Sequence, residues 1–180
     1  PSARFLPIIF DTCLQLRDAV EEGMAQGGFP LVLGGDHAQA IGTISAIARH
    51  HRQRNERVGV VWVDAHTDMN TPSTSPSGNI HGMPLAALLG RGADNLVGLA
   101  GEAPALVPED VVIMGARDVD ATEIPLVREL GVRVYTMQEI DRRGTAACME
   151  EALERVTAHT AGVHLSFDLD GVDPQAAPGV

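Results

Sequence analysis

Acidic and imidazole side chains follow one apolar run of this sequence at every second position. Residues 60–63, VVWV, are followed by Asp64, His66 and Asp68. Because alternate residues of an extended segment project from the same face, we expect these three side chains to reach one spot. Carboxylate and imidazole groups are ligands for divalent cations. On its own, the D-x-H-x-D pattern is as typical of a polar turn after a strand as of a metal site.

Acidic residues also end a second apolar run, VHLSFDLD at 163–170, where Asp168 and Asp170 again alternate. These two alone are weaker evidence, because DLDGVDP is similar to a fragment of a Ca²⁺ loop or to an ordinary Asp-Gly turn. Two other apolar runs end in the same way, in LVLGGDH at 31–37 and VVIMGARDVD at 111–120. This repetition favours a shared site over unrelated turns.

Crowded carboxylates at that site would repel one another, raise each other's pKa and cost stability unless cations neutralise them. Two divalent ions balance the charge of four carboxylates, which predicts a binuclear metal centre with shared carboxylate bridges. Asp64 and Asp168 are the natural bridges. Mixed carboxylate and imidazole ligands without thiolate fit Mn²⁺, while Co²⁺, Ni²⁺, Fe²⁺ and Zn²⁺ stay open as alternatives.

The elements that must position these residues are strands alternating with helices. Four runs rich in Val and Leu do not alternate apolar with polar residues, which predicts strands buried on both faces. They lie at 30–34, 58–63, 111–115 and 163–167, a weaker strand lies at 132–136, and helical patterns lie at 11–26, 38–53, 82–90, 122–130 and 145–158. The alternation predicts an α/β fold with a mainly parallel sheet, whose strand carboxyl ends share one edge.

Composition narrows the functional classes. The formal net charge of −11, from 24 acidic and 13 basic side chains, argues against a nucleic-acid partner. No segment approaches the roughly 18 unbroken apolar residues of a membrane span, so we expect no membrane association. With only Cys13 and Cys148 present, a reducing, cytoplasmic setting is predicted.

The loops at 67–80 and 91–110 are too short to mark a domain boundary, so a single domain over 1–180 is predicted. The chain begins at Pro1 and stops at Val180, directly after its last dense motif, which we interpret as an excerpt truncated at both ends.

Five motifs carry a family resemblance: GGDHA, VDAHTDMN, SGNIHGMP, RDVD and SFDLDGVDP, in this order. Together they resemble the ureohydrolase superfamily, and within it the arginases. The resemblance covers nearly the whole chain from about residue 30 and implies a three-layer α/β/α sandwich, here an incomplete copy. It also implies a homotrimer or homohexamer.

The resemblance implies two Mn²⁺ ions that hydrolyse L-arginine to L-ornithine and urea by attack of a metal-bridging hydroxide. One ion is expected on His37, Asp64, Asp68 and Asp168, and the other on Asp64, His66, Asp168 and Asp170. Asp68 is expected to pass a proton to the departing amine, and His81 to shuttle protons between solvent and the ions. Without the resemblance, a cap for the helix beginning near residue 82 is the favoured explanation of His81.

Substrate choice is expected to rest on a separate set of residues. Neutral amide and hydroxyl groups for the carboxylate of an amino acid are offered by Asn70, Ser77 and Asn79. The ammonium of the amino acid is expected to pair with Asp120, which has Asp118 and Glu123 near it. The alternatives are a solvated loop and an acidic helix start. Asn70 followed by PSGNIHG resembles the arginase form rather than agmatinase or another guanidino-compound hydrolase. A truncated, non-catalytic metal-binding relative is the further alternative.

Overall fold

The computed structural model describes residues 2–179 and divides the chain into two compact units. The first unit consists of Pro1–Arg57 and Asp68–Leu106, and the second of Val58–Thr67 and Val107–Val180. Each unit is therefore assembled from two separate segments. The predicted single domain over 1–180 stays a prediction.

The first unit is helical. Its helices are α1 (Leu6–Ala25), α2 (Gln39–Arg52), α3 (Pro84–Leu88) and α4 (Asp94–Val97), with short 3₁₀ turns at Ile80–Gly82 and Gly98–Ala100. Proline in the first turn of α1 and of α3 has its φ preset for a helix and lacks only an N–H that would have no partner there. The core contains Cys13 of α1, Ile41 of α2, Met83 and Leu99.

The packing of α1 against α2 buries a thiol. Cys13 is 1% exposed and its Sγ donates a hydrogen bond to the Ala38 carbonyl at 3.3 Å. Burial raises the pKa of this thiol to about 11, because the thiolate would lose its hydration. Cys13 is thus a structural rather than a reactive cysteine. Both cysteines of the chain are free and buried.

The strand predicted at 30–34 is wrong. The segment forms no strand, and Leu31 and Leu33 are 76% and 83% exposed. A strand requires a neighbour for its backbone N–H and C=O groups. All four strands found within 2–179 belong to the second unit, so the first unit offers this apolar run no such neighbour.

The second unit contains a parallel sheet with strands β1 (Val58–Val63), β2 (Val111–Ala116), β3 (Arg133–Thr136) and β4 (Gly162–Phe167). Their order is β3-β2-β1-β4, so that β1 lies between β2 and β4. Val60 of β1 is in register with Val111 of β2, and Val58 with Gly162 of β4. As predicted, β1 and β2 are buried almost throughout.

The edge strand β4 departs from the predicted burial on both faces. Val163, Leu165 and Phe167 are 38%, 58% and 51% exposed, whereas Ser166 is buried. An edge strand that is covered on one face shows this alternation, although its sequence is apolar at most positions.

Three helices complete the second unit: α5 (Ile124–Leu130), α6 (Met137–Arg143) and α7 (Thr145–Thr157), with 3₁₀ turns at Pro108–Asp110 and Leu169–Gly171. Helix α6 is capped by Thr136, whose side chain accepts a hydrogen bond from the Glu139 N–H. Helix α7 packs closely on β1 at Gly59, where a Cβ would lie 2.2 Å from the Val156 carbonyl oxygen. The parallel sheet and flanking helices confirm the predicted α/β class.

Among the helices of residues 2–179, none combines the length and apolar character that a membrane span requires.

Candidate metal centre

The Asp64 carboxylate is fixed at the carboxyl end of β1. Its backbone N–H donates to the Met114 carbonyl of β2 at 3.0 Å. One carboxylate oxygen, Oδ2, accepts from the indole N–H of Trp62 at 2.9 Å, and the other, Oδ1, accepts from the His66 N–H at 2.7 Å. With 1% exposure, Asp64 is a buried acid held by donors on both oxygens.

The predicted strand alternation over 64–68 is wrong. Strand β1 ends at Val63, and Asp68 has a left-handed φ of 51°. The hydrogen bond from the His66 N–H to the side chain of Asp64, two residues earlier, closes an Asx turn. Such a turn competes with continuation of the strand. The turn, rather than the twofold period of a strand, brings His66 Nδ1 to 3.3 Å from Asp64 Oδ1.

The end of β4 is built in the same way. Asp168 Oδ1 accepts from the Asp170 N–H at 3.1 Å and opens the 3₁₀ turn Leu169–Gly171. The predicted extended segment is therefore wrong here too. The turn directs Asp170 towards β1, where Oδ1 accepts from the Ala65 N–H at 3.1 Å and Oδ2 lies 3.0 Å from His66 Nδ1.

Asp64, His66 and Asp170 thus offer three ligand atoms that lie within 4.8 Å of one another. Burial raises the pKa of the Asp170 carboxyl, and the charges of Asp64 and Asp168 add to the rise, against the lowering effects of the Ala65 N–H and of His66. Two carboxylates and an imidazole, with no thiolate, are a donor set that fits a divalent transition-metal ion. The residues present therefore fit the expected metal.

Two further predicted ligands meet within the first unit. His37 Nδ1 lies 3.1 Å from Asp68 Oδ2, and both residues are buried. Asp68 holds its left-handed backbone while its carbonyl accepts from the Ala86 N–H at 3.2 Å. Non-glycine residues rarely adopt the left-handed backbone conformation. Those that do are found preferentially at functional sites.

The residues predicted for the substrate carboxylate, Asn70, Ser77 and Asn79, lie in the first unit together with His81. Asn70 is 5% exposed, and its Oδ1 accepts from the Thr74 hydroxyl at 3.0 Å. Ser77 is exposed and accepts from the Asn79 N–H at 3.1 Å. His81 is exposed in its 3₁₀ turn, and α3 begins after Met83 without a side-chain cap.

The residues predicted for the substrate ammonium lie after β2. Asp118 and Asp120 are exposed, and Asp118 Oδ2 is 3.9 Å from His66 Nε2. Glu123, by contrast, is 3% exposed. Its Oε1 accepts from the Thr67 hydroxyl at 2.7 Å and its Oε2 from the Asp120 N–H at 3.0 Å. In the structure Glu123 therefore holds the loop that carries Asp120; direct contact with a substrate stays a prediction.

Three residues around this site were not among those predicted from the sequence: Trp62, Thr67 and Arg117. Trp62 lies in the run predicted to be a buried strand and is fully buried, and its indole N–H donates to Asp64 Oδ2. The available signal was chemical, because a buried indole N–H requires an acceptor. Thr67 and Arg117 lie inside two of the motifs, but no spacing rule distinguishes them from their neighbours.

Comparisons with known proteins agree with this chemistry. The Arginase family model matches residues 7–180. Arginase from Bacillus caldovelox is 50% identical over 177 residues, which is 98% of this chain and 58% of that protein. The crystal structure of arginase from Bacillus cereus has a TM-score of 0.93 at 51% identity and is matched over 98% of this chain and 60% of its own.

A more distant structure extends the same similarity. Arginase from Entamoeba histolytica, solved in complex with L-ornithine, has a TM-score of 0.85 at 35% identity, over 96% of this chain and 57% of its own. The chain thus spans a little over half the length of these relatives. The α/β fold with its parallel sheet is that of the solved arginases, and the chain belongs to the arginase family.

Proposed function

We propose that the protein is a manganese-dependent hydrolase that cleaves the guanidinium group of L-arginine to give L-ornithine and urea. The observation that carries this proposal is the approach of the Asp64, His66 and Asp170 ligand atoms to within 4.8 Å, in a chain of the arginase family. A guanidinium is resonance-stabilised and cationic at neutral pH, so uncatalysed attack by water is very slow.

Two Mn²⁺ ions would be held by six residues in this proposal: His37, Asp64, His66, Asp68, Asp168 and Asp170. When bound, such ions supply a nucleophile near neutral pH by lowering the pKa of water. Asp64 and Asp168 would each supply carboxylate oxygens to this centre. The donors on both Asp64 oxygens, from Trp62 and His66, fix the direction in which this carboxylate presents its remaining lone pairs.

Proton transfer is proposed to use Asp68 and His81. Asp68 is buried and its Oδ2 lies 3.1 Å from His37 Nδ1, a contact that restricts the orientation of its carboxylate. His81 is exposed, which gives its imidazole access to solvent. An imidazole changes charge close to neutral pH, as a proton shuttle must.

The far end of the substrate is proposed to contact Asn70, Ser77 and Asn79 through its carboxylate, and Asp118, Asp120 and Glu123 through its ammonium. Support comes from the Thr74 hydroxyl, which donates a hydrogen bond to Asn70 Oδ1. This bond orients the Asn70 amide so that its NH₂ donors point away from Thr74. The Entamoeba arginase solved with L-ornithine shows that a relative binds an amino acid of this kind. A cytoplasmic location is part of the same proposal.

The test combines metal analysis with two substrates. The protein is loaded with Mn²⁺, its bound metal is counted, and urea release is measured from L-arginine and from agmatine, which lacks the carboxylate. We expect two ions per chain and urea from arginine alone. Urea from agmatine but not from arginine would identify an agmatinase. Bound metal without urea release from either substrate would identify a non-catalytic relative. Absence of bound metal would overturn the proposed centre.

A further inference from the structure

The loops that follow β1, β2 and β4 meet at the carboxyl edge of the sheet in the second unit. Strand β1 lies between the other two, and its loop carries Asp64 and His66. The β4 turn carries Asp168 and Asp170. The loop after β2 starts at Arg117, which supplies no ligand atom to the metal group.

Arg117 contacts both of the other loops. Its backbone N–H donates to the Ala65 carbonyl at 2.8 Å, between Asp64 and His66. Its guanidinium reaches the β4 turn and donates to three successive backbone carbonyls: Nη2 to Asp170, Nη1 to Gly171 at 3.4 Å and Nη2 to Val172 at 3.2 Å. The first residue after β2 thereby joins the two loops that carry the metal ligands.

The three acceptors are suited to arginine rather than to lysine. Carbonyl groups at the end of a short turn point outwards without intrahelical partners, and a planar guanidinium presents several donors in a fixed fork. A lysine ammonium has a shorter reach and no fork, so it would satisfy fewer of the carbonyls. The contacts go to backbone oxygens, and therefore position the turn without occupying a carboxylate that a metal ion needs.

The turn lies close enough to β1 for its placement to matter. A Cβ at Gly171 would lie 3.2 Å from the Asp64 backbone nitrogen and 3.3 Å from a methyl carbon of Val63. Asp170 Oδ1 meets the Ala65 N–H, and Oδ2 meets His66. A small displacement of the turn would therefore separate Asp170 from both Asp64 and His66.

We propose that Arg117 is a positioning residue for the metal centre, which sets the distance of Asp170 from Asp64 and His66 through the carbonyls of the β4 turn. This inference rests on the proposed metal-dependent function. Residues that orient metal ligands typically change metal affinity by about tenfold or more when they are replaced.

The first measurement needs no metal. In the metal-free protein, hydrogen exchange is compared between wild type and Arg117→Lys at the amides of Asp170, Gly171 and Val172, which donate within the turn. We expect exchange there to be roughly tenfold faster in Arg117→Lys, while α7 amides keep wild-type rates. Arg142→Lys, which changes an exposed arginine of the same unit at the end of α6, is the matched control.

The second measurement is Mn²⁺ affinity by calorimetric titration, for wild type, Arg117→Lys, Arg117→Gln and the control. We expect about tenfold weaker binding in both Arg117 variants. The Gln variant separates positioning from charge: if Arg117 acted only as a nearby cation, its removal would tighten Mn²⁺ binding by relieving repulsion.

The outcomes are distinguishable from one another. A wild-type protein that binds no Mn²⁺ would overturn the proposed metal function itself. Wild-type binding with unchanged affinity in Arg117→Lys, or tighter binding in Arg117→Gln, would overturn the positioning role and leave the metal function standing.

Discussion

At the scale of single residues, the orientation of Asp64 depends on its neighbour two positions earlier. Trp62 lies in the buried strand, yet its indole N–H is the donor to Asp64 Oδ2 at 2.9 Å. A buried carboxylate oxygen that loses such a donor is both less stable and less well oriented. The hydrogen bond thus connects the apolar core of the sheet to the chemistry at its edge.

Replacing Trp62 by Phe tests this connection. We expect the free energy of unfolding of the metal-free protein, measured by urea denaturation with circular dichroism, to fall by about 1–3 kcal/mol. Loss of ring packing would lower only the stability of the protein. Loss of the orientation of the Asp64 carboxylate would also weaken Mn²⁺ binding. Unchanged Mn²⁺ affinity in Trp62→Phe would therefore show that Trp62 acts only through packing of its ring.

The residue types of the site were predictable from the sequence, but their geometry was not. Asp64, His66 and Asp170 stand out because acids and imidazole directly follow apolar runs. That spacing suggested an extended strand, whereas Asx-type hydrogen bonds turn the chain at Asp64 and at Asp168. These turns are local competitors of strand geometry that a twofold alternation cannot reveal. Arg117 contacts residues more than fifty positions away, which no local pattern indicates.

At the scale of elements, an ion-pair network joins β3, α6 and α7 on the outside of the second unit. Glu139 of α6 accepts from Arg133 of β3 through both carboxylate oxygens, at 2.5 and 2.9 Å, and from Arg143 at 2.6 Å. Arg143 also pairs with Glu151 of α7. The hydrogen bonds from Arg133, with those from Arg143, lower the pKa of Glu139 from 4.5 to about 2.

This lowered pKa predicts a loss of stability in acid. The folded protein binds the Glu139 proton less readily than the unfolded chain, so the contribution of Glu139 is fully present above pH 4.5. It is lost as the pH falls from about 4.5 to about 2. In the wild type, the urea concentration at the midpoint of unfolding should decrease as the pH falls across this range. We expect this decrease to be smaller in Glu139→Gln.

The control for this measurement is Glu150→Gln, which changes an exposed glutamate of α7. It should leave the acid profile close to that of the wild type. Equal slopes for wild type and Glu139→Gln between pH 4.5 and pH 2 would show that the Arg133 and Arg143 contacts contribute nothing in solution.

The strands were predictable to the extent that a neighbour was present to pair with them. The runs at 58–63 and 111–115 became β1 and β2, since each pairs with another strand on both sides. The run at 30–34 is also apolar, yet it forms no strand. Local sequence reports the tendency of a segment to pair, whereas pairing itself is a property of the tertiary structure.

At the scale of the whole molecule, a net charge of −11 makes the binding of cations a matter of stability. Carboxylates gathered without neutralising cations destabilise the folded state, and an ion that binds only the folded state reverses this by mass action. We expect Mn²⁺ at about 100 times its Kd to stabilise the fold by roughly 2.7 kcal/mol for each ion bound.

The midpoint of thermal unfolding is measured by circular dichroism, first in EDTA and then at increasing concentrations of Mn²⁺. Mg²⁺ is the control, because it prefers octahedral oxygen ligands and is a poor match for a site that includes His66. Equal shifts with Mg²⁺ and Mn²⁺ would indicate general charge screening rather than a site built from carboxylate and imidazole.

The order of the strands also has a consequence for how the protein folds. Strand β1 pairs with β4 although the two are about a hundred residues apart in sequence, while β2 is about fifty residues from β1. Contacts between distant segments require loop closure before they contribute any stabilisation, and they slow folding. Asp64 and His66 lie on one side of that longest closure and Asp170 on the other, so the cation-binding group is complete only when the most distant strand pairing of the sheet has formed.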